Sequence, residues 1–329
     1  MAARENESEL PYPLPRGAAL VKDIDLICTD PEIDLAVELM GGTVIAGQYI
    51  RTALATGKHV VTANKALLAE DGIDLFRLAG EKNLTLGYEA SVCGGIPIVQ
   101  TMRESLAGNT ILSLSGILNG TCNYILSAMS AKGQSFEDAL KDAQKLGFAE
   151  ADPTLDIEGM DAAHKLVLLI RLAWGAAYPF TELPVRGVSK VSPEDIAFAR
   201  ELGYRIKLLG RARMVDGKLD AGVFPTLVHE DSMLAKVDGS FNAVMVKGNA
   251  AGTVFLHGRG AGDKPTGSSV LADVMAVARG AKPNNTGFIS QVPEEAALLD
   301  PAKMENTHYF RLMVPDRPGV LRDVAGILA

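Results

Sequence analysis

The sequence predicts an α/β protein in which a parallel-sheet domain precedes a strand-rich α+β domain. Three observations carry this. Short apolar runs alternate with helix-length segments over residues 23–93, the pattern of βαβ units. Beyond residue 200 strand-like runs follow one another, and Asp216-Gly217 marks a hairpin between the first two. The change of pattern falls at GGIPI, residues 94–98.

Taken in order, residues 1–22 are polar and proline-rich and are expected to be irregular. DIDLICT (23–29) and IDLAVELMGG (33–42) read as short buried strands. TVIAGQYIRTALATG (43–57) has helical spacing and closes on Gly57, a good C′ residue. HVVTANK (59–65) returns to a strand, DGIDLFRLAGEKN (71–83) is an amphipathic helix, and LTLGYEASV (84–92) is a further strand. NTILSLSGIL (109–118) is strand-like, and NGTCNYILSAM (119–129) is a turn entering a helix, with Thr121 a candidate N-cap. SFEDALKDAQKLG (135–147) is a helix with Ser135 as N-cap and Gly147 at C′. An apolar helix containing LVLLIRLAW follows, then the strands YRIKLLGRARM, KLDAGVFPTLV, NAVMVKGN and TVFLHG. Residues 258–280 are a glycine-rich loop opening a long helix, 281–306 a linker, and 308–329 a strand, a turn and a helix start.

Composition excludes several classes. The chain has 329 residues, 47% hydrophobic and 22% charged, as in an ordinary globular protein of two or more domains. A net charge of −8 argues against nucleic acid as a partner. No apolar run reaches the length of a bilayer span, so no membrane partner is expected. Cys28, Cys93 and Cys122 show no CxxC pairing and read as core residues of a cytoplasmic protein.

The chemistry concentrates in GFAEADPTLDIEGMDAAHK (147–165), with Glu150, Asp152, Asp156, Glu158 and Asp161 ahead of Lys165. Asp161 and Lys165 are four apart and share one helix face. The bland reading is an i,i+4 ion pair worth a few tenths of a kcal/mol. Against it, the helix is apolar on most sides, and a buried lysine and carboxylate must pair or bind something. A lysine beside a carboxylate can give a proton to an oxygen that becomes negative, which suits carbonyl reduction. His164 points to another side of the helix and reads as packing or surface.

This block resembles the signature stretch of homoserine dehydrogenases. ELMGG (38–42), GKHVVTANKALLA (57–69), YEASVCGGIPI (88–98), GILNGTCNYIL (116–126) and GRGAGDKPTGSSV (258–270) resemble further blocks of that family, in family order. HYFRLMVPDRPGVL resembles the start of an ACT domain. The resemblance implies an incomplete Rossmann-type domain (23–93), a substrate and dimerisation domain (94–257), a helix returning to the first domain (258–280), a linker (281–306) and a truncated ACT-like segment (307–329). It implies interconversion of aspartate 4-semialdehyde and homoserine with NADP or NAD, on the route to threonine and methionine, by a homodimer or higher oligomer.

By matched position, the resemblance makes Lys165 the proton donor and acceptor and Asp161 its partner. Glu150, Asp156, Asp161, Lys65 and Thr121 would face the substrate. Lys65, Asn64, Gly147, Glu150 and Gly262 would lie at the cofactor. A sodium ion would sit on the main-chain carbonyls of Glu89, Val92, Gly94 and Ile96. The family opens with a strand, a GxGxxG loop and a helix that holds the pyrophosphate, and no such loop precedes DIDLICT. The expectation is a chain shortened at both ends that binds cofactor weakly, with a catalytically impaired dimerising or regulatory subunit as the alternative.

Overall fold

The computed structural model describes residues 13–290, 292–300, 303 and 306–328. It divides into two compact units, one through Leu299 and one from Asp300. Most of the expected N-terminal segment, residues 1–12, lies outside the described residues.

The first unit opens with helix α1 (Asp25–Thr29), not the strand expected over 23–29. Ile24 and Cys28 stand one turn apart and are joined by a backbone bond of 3.1 Å. Cys28 is buried, so the apolar spacing is helical. Strand β1 (Leu35–Glu38), helix α2 (Val44–Ala55) and strand β2 (His59–Thr62) follow as expected. Gly57 lies past the α2 C-cap with φ +88°, the left-handed region that glycine adopts without a Cβ penalty. Helix α3 (Lys65–Glu81) starts six residues before the expected helix, because Asn64 caps it and Asp71 absorbs a kink at φ −134°. Strand β3 pairs only over Leu86–Gly87, and the chain then turns into a 3-10 segment at Glu89–Ser91. The expected strand over 84–92 is cut short where the Glu89 amide leaves the sheet to bond Asp273 Oδ2 at 2.9 Å. These strands form a parallel sheet in the order β1-β2-β3, with Leu35 opposite His59 and Val60 opposite Leu86.

The chain next forms α4 (Ile98–Gln100), a single π-helical turn over Thr101–Ser105, and strand β4 (Ile111–Ile117). Helices α5 (Gly120–Lys132), α6 (Phe136–Lys145), α7 (Thr154–Ile157) and α8 (Met160–Trp174) come after it. Ser135 caps α6, and Gly147 follows its C-cap at φ +74°. After a short strand β5 (Ala176–Ala177) and helix α9 (Pro193–Glu201), four strands complete the second sheet. These are β6 (Tyr204–Val215), β7 (Lys218–His229), β8 (Phe241–Gly248) and β9 (Gly252–Arg259). The order is β7-β6-β4-β8-β9, antiparallel throughout. Asp216 and Gly217 make the β6–β7 turn with φ of +48° and +75°, the conformation expected of that dipeptide.

Helix α10 (Asp263–Ala278) returns to β2 and β3, and Val270 is buried there with Val61. The stretch expected as a linker is sewn onto this unit. Asn285 is fully buried and bonds both Leu84 O and the Leu86 amide at 2.9 Å. Strand β10 (Glu294–Glu295) runs parallel to β5, and Leu298 bridges Leu219. The second unit contains α11 (Val320–Leu328). The strand expected from 308 does not form among the described residues, since an extended segment without a neighbour leaves its ladder unbonded.

Candidate active site

Helix α8 is the axis of the site. Gly159 precedes it at φ +85°, where a Cβ would stand 3.1 Å from the Val185 side chain. From Ala162 to Ala173 every residue is buried, and only the two ends, Met160, Asp161 and Trp174, are half-buried. Asp161 stands on the first turn and Lys165 one turn further in, on the same face. Lys165 is 7% exposed, and its Nζ donates to Asp161 Oδ2 and to Leu118 O, both at 2.7 Å. Asp161 Oδ1 lies 3.2 Å from Lys65 Nζ. One carboxylate therefore bridges two ammonium groups from two helices.

The electrostatics follow from this geometry. Burial pushes the Asp161 carboxyl up, but Lys165, Lys65 and the bond from Asn119 overcome it and hold it well below the ordinary carboxylate range. Burial pulls Lys165 down, and Asp161 outweighs it, so the amine stays charged above its ordinary value. The helix N-terminus also favours the negative charge of Asp161.

Asn119, which motif reading missed, organises the carboxylates. Its Nδ2 donates to Asp156 Oδ1 at 2.7 Å and to Asp161 Oδ2 at 2.8 Å, while its Oδ1 accepts the Cys122 amide at 2.8 Å. Asn119, not Thr121, is thus the N-cap of α5. The signal was present, since Asn outranks Thr as an N-cap. Thr121 Oγ1 donates to Phe148 O at 2.6 Å and to Asp156 Oδ2 at 3.2 Å. Burial and the nearby Asp161 raise the Asp156 pKa.

Lys65 is the first residue of α3, just past the carboxyl end of β2. Asn64 ahead of it accepts the Leu67 amide at 3.2 Å and donates to Gly42 O at 2.6 Å. Gly41 and Gly42 adopt φ of +73° and +72°, and open space lies where their Cβ atoms would be. These glycines and Asn64 lie just past the carboxyl ends of β1 and β2. Gly262, at φ +108°, precedes α10.

Glu150 is exposed between α6 and α7, and its carbonyl accepts Gln144 Nε2 at 3.1 Å. Gly147 lies in the same connection. His164 is a buried link between helices, its Nε2 2.8 Å from Glu70 Oε1 and its ring stacked on Phe180.

The expected cation loop turns through Cys93 and Gly94, at φ +57° and +48°. Gly94 O accepts Ser269 Oγ, Ile96 O accepts the Ile98 amide and Glu89 O accepts the Val92 amide. A carbonyl carries two lone pairs, and the bonds just named use one on each. The Glu89 carboxylate is occupied by the Val99 and Gln100 amides. Burial raises its pKa to about 7 despite those bonds.

Among the described residues no helix is long and apolar enough to cross a membrane. The protein-family model described as "Homoserine dehydrogenase" matches residues 97–275, and that of "Homoserine dehydrogenase, NAD binding domain" matches residues 2–89. The homoserine dehydrogenase of Pseudomonas aeruginosa is 45% identical over 316 residues, covering 94% of this chain and 73% of the relative. That of Bacillus subtilis is 38% identical over 327 residues, covering 99% of this chain and 75% of its own length. The crystal structure of a homoserine dehydrogenase from Thiobacillus denitrificans superposes with a TM-score of 0.87 at 44% identity, covering 95% of this chain and 74% of that one. A hyperthermophilic archaeal homoserine dehydrogenase in complex with NADPH superposes at 0.68 with 28% identity, covering 80% and 76%. With two family models spanning most of its length and relatives of this similarity, the chain belongs to the homoserine dehydrogenase family, NAD(P)-dependent oxidoreductases acting on a CH–OH group.

Proposed function

We propose that Lys165, Asp161 and Lys65 form the proton-transfer site for interconversion of aspartate 4-semialdehyde and homoserine, on the route to threonine and methionine. The observation that carries this is the carboxylate of Asp161 shared between two ammonium groups at the open end of a buried helix. Two of the three Lys165 protons are engaged by Leu118 O and Asp161. The third is left for a substrate oxygen. When bound, NADP or NAD supplies or accepts the hydride at the substrate carbon. As the carbonyl oxygen gains negative charge, the ammonium of Lys165 stabilises it and transfers the proton. In the oxidative direction the neutral amine takes that proton back. Lys65, on the rim of α3, adds positive charge beside the same carboxylate.

The substrate ammonium is assigned to Asp156, helped by Glu150 and by Thr121. A carboxyl held protonation-prone by burial and by Asp161 gains most from an incoming cation, and charge-assisted bonds fix the substrate's orientation. Asn64, Gly147 and Gly262 are assigned to the cofactor, and a sodium ion to the carbonyls of Glu89, Val92, Gly94 and Ile96. A cytoplasmic homodimer joined through the five-stranded sheet completes the reading, with residues from 307 as an ACT-like regulatory segment.

The test is turnover by the purified chain, followed as NADPH or NADH absorbance, with each substrate in its own direction. Turnover that requires Lys165 supports the reading. Absence of turnover with both cofactors overturns it.

A further inference from the structure

Asn242, the second residue of β8, is 1% exposed. Its Nδ2 donates to Leu118 O at 2.9 Å, the same carbonyl that receives Lys165 Nζ at 2.7 Å. Both lone pairs of that carbonyl are then used, one by the reacting lysine and one by Asn242. Leu118 directly precedes Asn119, which clamps Asp156 and Asp161. The 118–119 stretch therefore orients the lysine through its carbonyl and the carboxylates through its side chain.

The other face of Asn242 meets the loop between β9 and α10. A Cβ on Gly260 would lie 2.1 Å from Asn242 Cγ, and its three nearest atoms all belong to that amide. The bare backbone of Gly260 is thus laid flat on the Asn242 side chain. The loop holds Gly262, the residue assigned above to the cofactor. A Cβ on Gly94 would in turn stand 2.6 Å from Gly260 O, so this loop is packed from two sides. Asn242 Oδ1 has no hydrogen-bond partner among the described residues. A buried polar atom left unpaired is costly, and an apolar side chain of the same shape would avoid that cost. What such a side chain would lose is the bond to Leu118 O and the side-chain contact with Cys93.

We propose that Asn242 is a positioning residue that sets the distance between the proton donor and the cofactor loop. It holds Lys165 through Leu118 O on one side and seats Gly260 on the other. This rests on the assignment of Lys165 and Gly262 made above. Displacement of reacting groups by about 1 Å costs on the order of 10²-fold in rate, so one amide wedged between the two halves has leverage over kcat without touching substrate.

The experiment compares the parent with Asn242→Ala, Gly260→Ala and the double variant. Parent turnover is measured first, because its absence would refute the functional reading itself. Affinity for NADPH is read by fluorescence titration, and kcat, KM for homoserine and the primary deuterium isotope effect by steady-state kinetics. Asn242→Ala is expected to lower kcat about 10- to 100-fold with KM within a few-fold, and to raise the isotope effect as hydride transfer becomes limiting. Gly260→Ala is expected to weaken NADPH binding at least several-fold, because its methyl has no room beside the amide. Adding Asn242→Ala to it should restore that binding, since the methyl then occupies vacated space, a non-additivity expected only of groups in contact. The isotope effect and the recovered binding do not depend on the fraction of chain folded, so a merely structural role would move neither. If kcat and the isotope effect of Asn242→Ala match the parent, or if the two substitutions add independently in NADPH affinity, the proposal is overturned.

Discussion

Along helix α8 the residues from Ala162 to Ala173 are all buried, whereas around β1 and the start of α2 large apolar side chains face outward. Val37 is 45% exposed, Leu39 60%, Val44 72% and Ile45 61%. Both regions belong to the same unit and are similarly rich in apolar residues. The difference lies in coverage. Helix α8 is packed by α3 and by β6 and β7 of the antiparallel sheet, while β1 is an outer strand of the parallel sheet. Lys165 and Asp161, proposed above as proton-transfer groups, stand on the closed element. Asn64, assigned above to the cofactor, and the left-handed turn of Gly41 and Gly42 stand beside the other.

If this contrast is right, substitutions on α8 should be severe and those near β1 mild. Lys165→Ala is the largest, with kcat expected to fall on the order of 10²–10⁴-fold while the circular dichroism spectrum is kept. Activity within a few-fold of the parent at saturating substrate would refute the assignment. Leu168→Ala, at a site of 0% exposure, should cost about 2–5 kcal/mol in denaturant unfolding. A smaller loss would mean that α8 is less tightly enclosed than it looks. Thr62→Val comes next. Thr62 Oγ1 donates to Glu38 Oε2 at 2.6 Å in a buried pair, and losing that bond should destabilise by about 1–3 kcal/mol. Ile45→Ser is the smallest, expected within about 0.5 kcal/mol of the parent because the side chain is already in water. A loss comparable to Leu168→Ala would erase the contrast between the two regions.

The fold was legible where periodicity and turn chemistry agreed. The β6–β7 hairpin followed from Asp216-Gly217, and α6 from Ser135 and Gly147. Misreadings arose where apolar residues were few or where a partner far along the chain decided. Five residues at 25–29 cannot separate a strand from one helical turn by pattern alone. Strand β3 ended early because of Asp273, nearly two hundred residues away. In the site, Asp161 and Lys165 could be read because helical spacing puts i and i+4 together. Their link to Lys65 lay beyond periodicity, since it joins α3 to α8. Asn119 and Asn242 left still less trace: an asparagine becomes informative only when its partners are known, and those come from α5, α7, α8 and the loop after β9.

The most direct measurement is the pH dependence of kcat for homoserine oxidation in the parent and in Asp161→Asn. Groups facing Lys165 include Asp161 on its own helix, Asp156 from α7 and Cys93 from the loop before α4. Asp161 has the largest effect of the groups that together overcome burial and raise the lysine pKa. The sign follows: a raised pKa keeps Lys165 charged at neutral pH, so oxidation, which needs the neutral amine, should climb into the alkaline range. Asparagine at 161 keeps the shape but removes the charge, so burial then dominates and the amine loses its proton more easily. The expected result is a midpoint displaced to lower pH in Asp161→Asn. Superimposable profiles for the two proteins would show that Asp161 does not tune Lys165, and would contradict the proton-transfer site proposed for this chain.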